Sequence, residues 1–188
     1  MNDQADFLKR LLDKLSASNI SFMLVGSVAA SYHGHPRSTF DIDLVVEAGE
    51  EALRRFARSL GEGYYVDEDS ISEAFRNRSA FNIIDEATGF KADLIVRKER
   101  LFSRTEFGRR VSVHVMDRAV AMATPEDVIL SKLEWSKIGA SERQFADALQ
   151  VARAQGQNLD LSYLERWSNE LGVADLWEKI KELILPEF

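Results

Sequence analysis

The chain has 188 residues, enough for one domain or for one core with a small appendage. Hydrophobic residues make up 45% and charged residues 29%, which excludes disorder and fibrous architectures, and the absence of cysteine excludes disulfides, thiolate metal sites and cysteine nucleophiles. The net charge of −7 argues against a protein that covers duplex nucleic acid, and no apolar run approaches the roughly 20 residues of a membrane helix. With no apolar secretory segment in MNDQADFLKR, the expectation is a soluble cytoplasmic protein with no membrane partner.

Phe7, Leu8, Leu11, Leu12 and Leu15 recur at helical spacing and predict an amphipathic helix over 4–17. The apolar run 20–25, closed by Gly26, reads as a buried strand, and 27–33 as a short helix broken by His33-Gly34-His35-Pro36. A second strand is expected over 40–46 and a helix over 49–60, followed by a short strand at 64–66 and a short helix at 70–77. Strands over 79–84 and 91–96 are joined by a plausible hairpin loop, and 111–116 alternates as a further strand.

The texture changes at Thr124-Pro125-Glu126-Asp127, which supplies a capping hydroxyl, proline at the first helical position and acids in the first turn. Helices are expected at 125–138, 142–155, 161–171 and 173–185, with breaks near Gly139, Gly156 and Gly172. The fold class is therefore α+β: a mixed sheet with flanking helices and a helical C-terminal extension. The expected division is a core over 1–120 and a helical region over 121–188 packed on it.

Asp41 and Asp43 lie two apart on a predicted strand, so both carboxylates share one face, opposite Ile42, Leu44 and Val46. At ~5 Å and an effective dielectric near 20 they repel by about 3 kcal/mol. A hard divalent cation would offset this through oxygen ligands; full solvation at a sheet edge is the other solution. Asp93 stands in KADLIV, and if that strand pairs with 40–46, three carboxylates converge and can clamp two metals for phosphoryl transfer. Gly26 lets the backbone approach a ligand, and free amides at a helix start, with the Ser27 hydroxyl, suit phosphate oxygens.

The order of strand, Gly26-Ser27, short helix, Asp41-Ile42-Asp43 and a later Asp93 resembles the nucleotidyltransferase superfamily of the polymerase-β type. The phrase HGHPRSTFDIDLVV is similar to the bacterial minimal nucleotidyltransferases, including the abortive-infection toxin group. In that group a Lys and a later Asp lie in the helical tail, matched here by Lys132 and Asp147. Arg143 is separated from Asp147 by Gln-Phe-Ala, whereas the toxins tend to keep Arg and Asp adjacent.

The resemblance, which covers about residues 20–150, implies a nucleotidyltransferase fold and transfer of an NMP from an NTP to a hydroxyl of RNA, protein or a small molecule. Asp41 and Asp43 would hold two Mg2+ ions, or Mn2+, and Asp93 would bind one of them and help deprotonate the acceptor. Gly26, Ser27, Arg37, Lys132 and Asp147 would serve nucleotide binding. For Lys132, snorkelling from an apolar helix face is the plainer role, and for Arg37 an ion pair with Asp41. A toxin would have an antitoxin partner, an antibiotic-adenylylating enzyme a small-molecule acceptor such as a drug, and a non-catalytic nucleotide- or partner-binding module would keep the fold alone.

The basic run from Arg97 to Arg110 reads as a solvated helix face or as a landing strip for a phosphate-bearing partner such as tRNA. His33 and His35 read as loop residues and His114 as a strand-surface residue, while Trp135, Trp167 and Trp177 read as core or interface packing.

Overall fold

The structure is a computed structural model that describes residues 3–34, 36, 41–115 and 118–184. In chain order the elements are α1 (Asp3–Ala17), β1 (Ser21–Val25), α2 (Gly26–His33), β2 (Asp41–Glu47), α3 (Glu50–Ser59), β3 (Tyr64–Tyr65), α4 (Glu68–Asn77), β4 (Ala80–Asp85), β5 (Lys91–Val96), α5 (Leu101–Arg109), β6 (Val111–Val115) and β7 (Arg118–Met122). These are followed by α6 (Pro125–Gly139), α7 (Glu142–Gln155), a 3-10 turn, α8 (Leu161–Glu170) and α9 (Ala174–Ile184). Among the described residues no helix is long and apolar enough to cross a membrane.

Two compact units emerge. One contains α1, β1 and everything from β2 to β7; the other contains α2 and the helices from α6 onward. The change of unit near residue 122 falls close to the expected change of texture, but α2 belongs with the helical unit although it lies early in the chain.

In the first unit the strands form one mixed sheet in the order β3-β4-β5-β2-β1-β7-β6. β2 runs parallel to β5 and β1 parallel to β7, while the other neighbours are antiparallel. Alternation sorts β2, β4 and β5, while β1 buries Met23, Leu24 and Val25 in succession. Leu24, Ile42, Leu44, Val46, Phe81, Ile83, Ala92, Leu94 and Val96 are buried on one face. Each of these larger side chains contributes about 1.5–3 kcal/mol by leaving water.

α1, α3 and α4 pack in sequence, with Phe7 stacked on Tyr64. Arg10 of α1 donates to the Tyr64 hydroxyl and to the buried Asp85 carboxylate, which keeps that acid paired at the end of β4. α4 begins at Glu68, two residues earlier than its periodicity suggests, because the Asp67 side chain caps it by accepting from the Asp69 amide.

Two elements carry weak sequence signals: α5 is anticipated only as a solvated helix face, and β7 is not anticipated. α5 hides its buried face, Phe102, Ser103, Glu106 and Phe107, among arginines. β7 is a five-residue strand whose short apolar core carries little periodic signal.

In the second unit α2, α6 and α7 pack mutually. Gly34 follows α2, where a Cβ would lie 2.9 Å from the Ala30 carbonyl oxygen and 3.1 Å from the Val151 amide of α7, so only glycine permits the approach. The α6 cap is as expected: the Asp127 amide donates to Thr124 Oγ1 at 3.2 Å, and Pro125 occupies the first turn. That helix ends on Ala140 in a left-handed conformation (φ 47°), one residue beyond the glycine the sequence suggests.

Tyr163 of α8 donates to Asp127 Oδ1 at 2.6 Å, fastening α8 to the start of α6. Trp167 and Trp177 are buried, as expected, but Trp135 is 57% exposed and does not belong to the core. Its face of α6 also exposes Ile138, three residues on.

Candidate active site

β2 carries Asp41 and Asp43 on the face opposite its buried Ile42, Leu44 and Val46. The parallel register sets Asp93 of β5 directly opposite Asp43, and Lys91 opposite Asp41. On the far side of β5, Asn82 of β4 stands opposite Asp93; on the far side of β2, Val25 stands opposite Asp43. With neighbouring strands about 4.8 Å apart, Asp41, Asp43, Lys91 and Asp93 occupy the corners of a small rectangle on one face of the sheet. The register places the three acids on one face of adjacent strands, with the β2–β5 pairing that the sequence argument supposes.

A lysine on the same face offsets part of their repulsion. Lys91 Nζ lies 3.2 Å from Asp93 Oδ1 and 3.8 Å from Asp41 Oδ1, and the Asn82 amide donates to the same Asp93 oxygen. Partial burial works against the charge of Lys91. The hydrogen bond to Asp93 and the fields of Asp93, Asp41 and Asp43 outweigh it, so its pKa lies above the ordinary lysine value.

The sequence reading overlooks Lys91, although its parity with Asp93 in KADLIV was a usable signal. Among the described residues no three His, Asp or Glu side chains are drawn together as a ready-made metal cage. The donors nevertheless suit a hard divalent ion: three carboxylates, oxygen ligands on a partly exposed face.

Gly26 follows Val25 in the chain and adopts φ 63°, a left-handed conformation that a side chain would strain, as the strand turns into α2. The first turn of α2 contains no acid, unlike those of α3, α4 and α6, so no carboxylate of its own offsets the positive end of that helix. Ser27 is the second residue of that turn. Arg37 lies outside the described residues.

In the helical unit Lys132 of α6 donates to Asp147 Oδ2 of α7 at 2.9 Å, with the two side chains only 6% and 9% exposed. The resemblance links these two residues by role; the structure links them by a buried ion pair. Arg143, one turn before Asp147, is exposed.

His33 is not a loop residue. It ends α2, is buried, and its Nε2 lies 2.8 Å from the Ala123 carbonyl oxygen. Desolvation lowers its pKa below the ordinary value, against the weaker effects of the Ala123 hydrogen bond and Glu126. His114 is exposed on β6, as expected, and His35 lies outside the described residues.

The basic run is largely consumed within its own unit. Arg97 pairs with Glu47 and Glu99, Arg100 donates to Ser103 Oγ and lies over Phe102, and Arg110 donates to the Phe107 carbonyl oxygen. Within the run only Lys98 and Arg104 are exposed cations.

No protein-family model matches the chain, and no curated protein matches it in sequence. Solved structures do match. One is the antibiotic-resistance factor ANT(2″)-Ia, in complex with adenylyl-2″-tobramycin: TM-score 0.59, 15% identity, covering 90% of this chain and 97% of that one. A second is the lincosamide antibiotic adenylyltransferase LnuA with lincomycin bound, with TM-score 0.56 and 13% identity over 80% of this chain and 96% of that one. A third, an antigenic nucleotidyltransferase-like protein from Paracoccidioides brasiliensis, has TM-score 0.51 and 16% identity, covering 92% of each chain. The chain has the nucleotidyltransferase fold, α+β with a mixed sheet, as the motif resemblance implies.

Proposed function

We propose that the protein is a metal-dependent nucleotidyltransferase that moves a nucleoside monophosphate from an NTP to a hydroxyl of a small molecule. The observation that carries this reading is the register of β2 and β5, which sets Asp93 against Asp43, two residues from Asp41. Asp41, Asp43 and Asp93 would hold the divalent ions, Mg2+ or Mn2+. Such ions neutralise charge on the triphosphate and on the departing pyrophosphate.

Asp93, oriented by the Asn82 amide, accepts the proton of the acceptor hydroxyl. The acceptor oxygen then forms its bond to the α-phosphorus while the bond to pyrophosphate breaks. The amides at Gly26 and the Ser27 hydroxyl bind phosphate oxygens at the start of α2. Lys132 and Asp147 act as a positioning pair: they lock α6 to α7, the two helices on which α2 packs. Arg37 enters from the sequence alone, as a phosphate contact.

A small-molecule acceptor is favoured over RNA by the net charge of −7 and by the arginines of 97–110 that are committed to carboxylates, rings and carbonyls. Two of the matching structures, bound to adenylyl-2″-tobramycin and to lincomycin, point the same way.

The test is release of pyrophosphate from each α-labelled NTP in magnesium, with an aminoglycoside and lincosamide panel, bulk tRNA or cell extract as acceptor. Label is expected on a hydroxylated small molecule. Label on tRNA would favour an RNA-modifying toxin instead. Absence of pyrophosphate with every NTP and acceptor would leave a non-catalytic binding module of the same fold.

A further inference from the structure

Three acids on one face need a counterion whether or not metal is present, and Lys91 stands at the remaining corner of their rectangle. Its ammonium reaches oxygens of Asp93 and Asp41, the donors a divalent ion would need. Lys91 brings one positive charge to a face that carries three carboxylates, and a doubly charged ion is drawn to those carboxylates more strongly than one ammonium is.

Lys91 is the first residue of β5, its side chain is 39% exposed, and four methylenes let its head swing into water without disturbing the strand. Lys132, by contrast, is buried against its acid and has no such exit. Lys91 is therefore placed to leave, and its departure frees the carboxylates it was holding.

Resting on the nucleotidyltransferase reading, we propose that Lys91 is an exchangeable internal cation: it closes the carboxylate cluster in the metal-free protein and is displaced when a divalent ion binds. The consequence is a low affinity for free metal, because every ion must first break the lysine's contacts. A metal that arrives on a triphosphate brings further ligands and overcomes that competition more easily, so occupancy of the cluster becomes tied to the presence of nucleotide.

The probe is Mn2+ alone, titrated by calorimetry into wild type, Lys91→Gln and the control Lys98→Gln. The control removes an exposed cation of the same unit. Exposed ion pairs are each worth little, so losing two contacts should tighten Mn2+ binding by about three- to tenfold in Lys91→Gln. Lys98→Gln should change it by less than about twofold, as expected of a screened surface charge.

A second readout follows Lys91 itself in the wild-type protein, so it does not depend on the variant folding. Its acylation by an amine-reactive ester, measured by mass spectrometry, should rise when Mn2+ replaces chelator, while buried Lys132 stays protected. Wild type that binds Mn2+ while Lys91→Gln binds it equally or more weakly overturns the exchange and leaves the enzymatic reading intact. Lys91 acylation that is unchanged or slower in Mn2+ overturns it in the same way. If neither wild type nor Lys91→Gln binds Mn2+, the exchange and the metal-dependent reading fall together.

Discussion

The protein holds two sets of lysine–aspartate contacts in opposite surroundings. On the sheet, Lys91 meets Asp93 and Asp41, with Lys91 and Asp41 39% and 63% exposed. Between α6 and α7, Lys132 meets Asp147 with both side chains almost fully removed from water. The chemistry is the same, yet the energetics differ. In water the ions are already well solvated, so the pair gains little and breaks easily. In the interior, removing one partner strands a desolvated charge. The exposed set can trade its cation for another; the buried pair can only hold helices together.

The largest expected effect tests the buried side. Lys132→Ala should cost about 3–5 kcal/mol in chemical denaturation, because it leaves Asp147 buried without its cation. The apolar double variant Lys132→Met with Asp147→Leu should recover most of that loss. It should also bring the KM for NTP back toward wild type if the pair acts by positioning α2. A double variant that is stable yet keeps a raised KM would show that Lys132 touches the nucleotide directly.

The acids of the exposed set should give the reverse pattern. Asp41→Ala, Asp43→Ala and Asp93→Ala should each lower NTP turnover by at least about 10²–10³-fold, the scale of losing a transition-state stabiliser. Their unfolding free energies should stay within about 1 kcal/mol of wild type, as expected for charges that keep contact with water. Pyrophosphate release and urea curves on the same preparations test both halves. If Asp43→Ala keeps more than about a tenth of wild-type turnover, beyond what such a loss permits, the metal assignment fails.

The sequence carried one side of this comparison better than the other. Period two is local, so the shared face of Asp41 and Asp43 was legible from three residues. Convergence with Asp93 needed only one further fact, the parallel pairing of β2 with β5, which no local pattern encodes. Lys91 was obscured because a basic residue at a strand start ordinarily reads as a solvated end, and its importance comes from the partner strand.

Lys132 and Asp147 were singled out through the resemblance. Their mutual contact depends on how α6 packs on α7, which sequence spacing leaves open. The buried state of His33 is not legible in the sequence for the same reason: Ala123, its hydrogen-bond partner, lies ninety residues away.

His33 supplies a pH test on the buried side. Desolvation lowers its folded pKa below the ordinary 6.5. Between those two values the unfolded chain binds more protons than the folded one, so stability rises with pH there. The contribution is complete above about 6.5 and is lost as pH falls below it. Melting curves from about pH 7.5 to 5.5 should therefore slope downward more steeply for wild type than for His33→Gln. Equal slopes would mean that His33 does not meet its cost of burial as a neutral ring.

The smallest expected effect is salt, and it separates the two sets without any assay of activity. Raising ionic strength from about 0.1 M to 1 M shortens the screening length from about 10 Å to about 3 Å. Screening acts through solvent, so it reaches Lys91 and Asp41 but hardly reaches the pair between α6 and α7. Salt also alters apolar burial, but that contribution is common to wild type and variant and cancels in their difference. In chelator, the stability difference between wild type and Lys91→Gln, at most about 1 kcal/mol at low salt, should shrink toward zero at 1 M. The difference for Lys132→Ala should stay the same within about 0.5 kcal/mol, because a buried pair is screened far less. If the Lys91 difference instead persists undiminished at high salt, that ammonium is sequestered from solvent, and the contrast between an exchangeable and a fixed cation disappears.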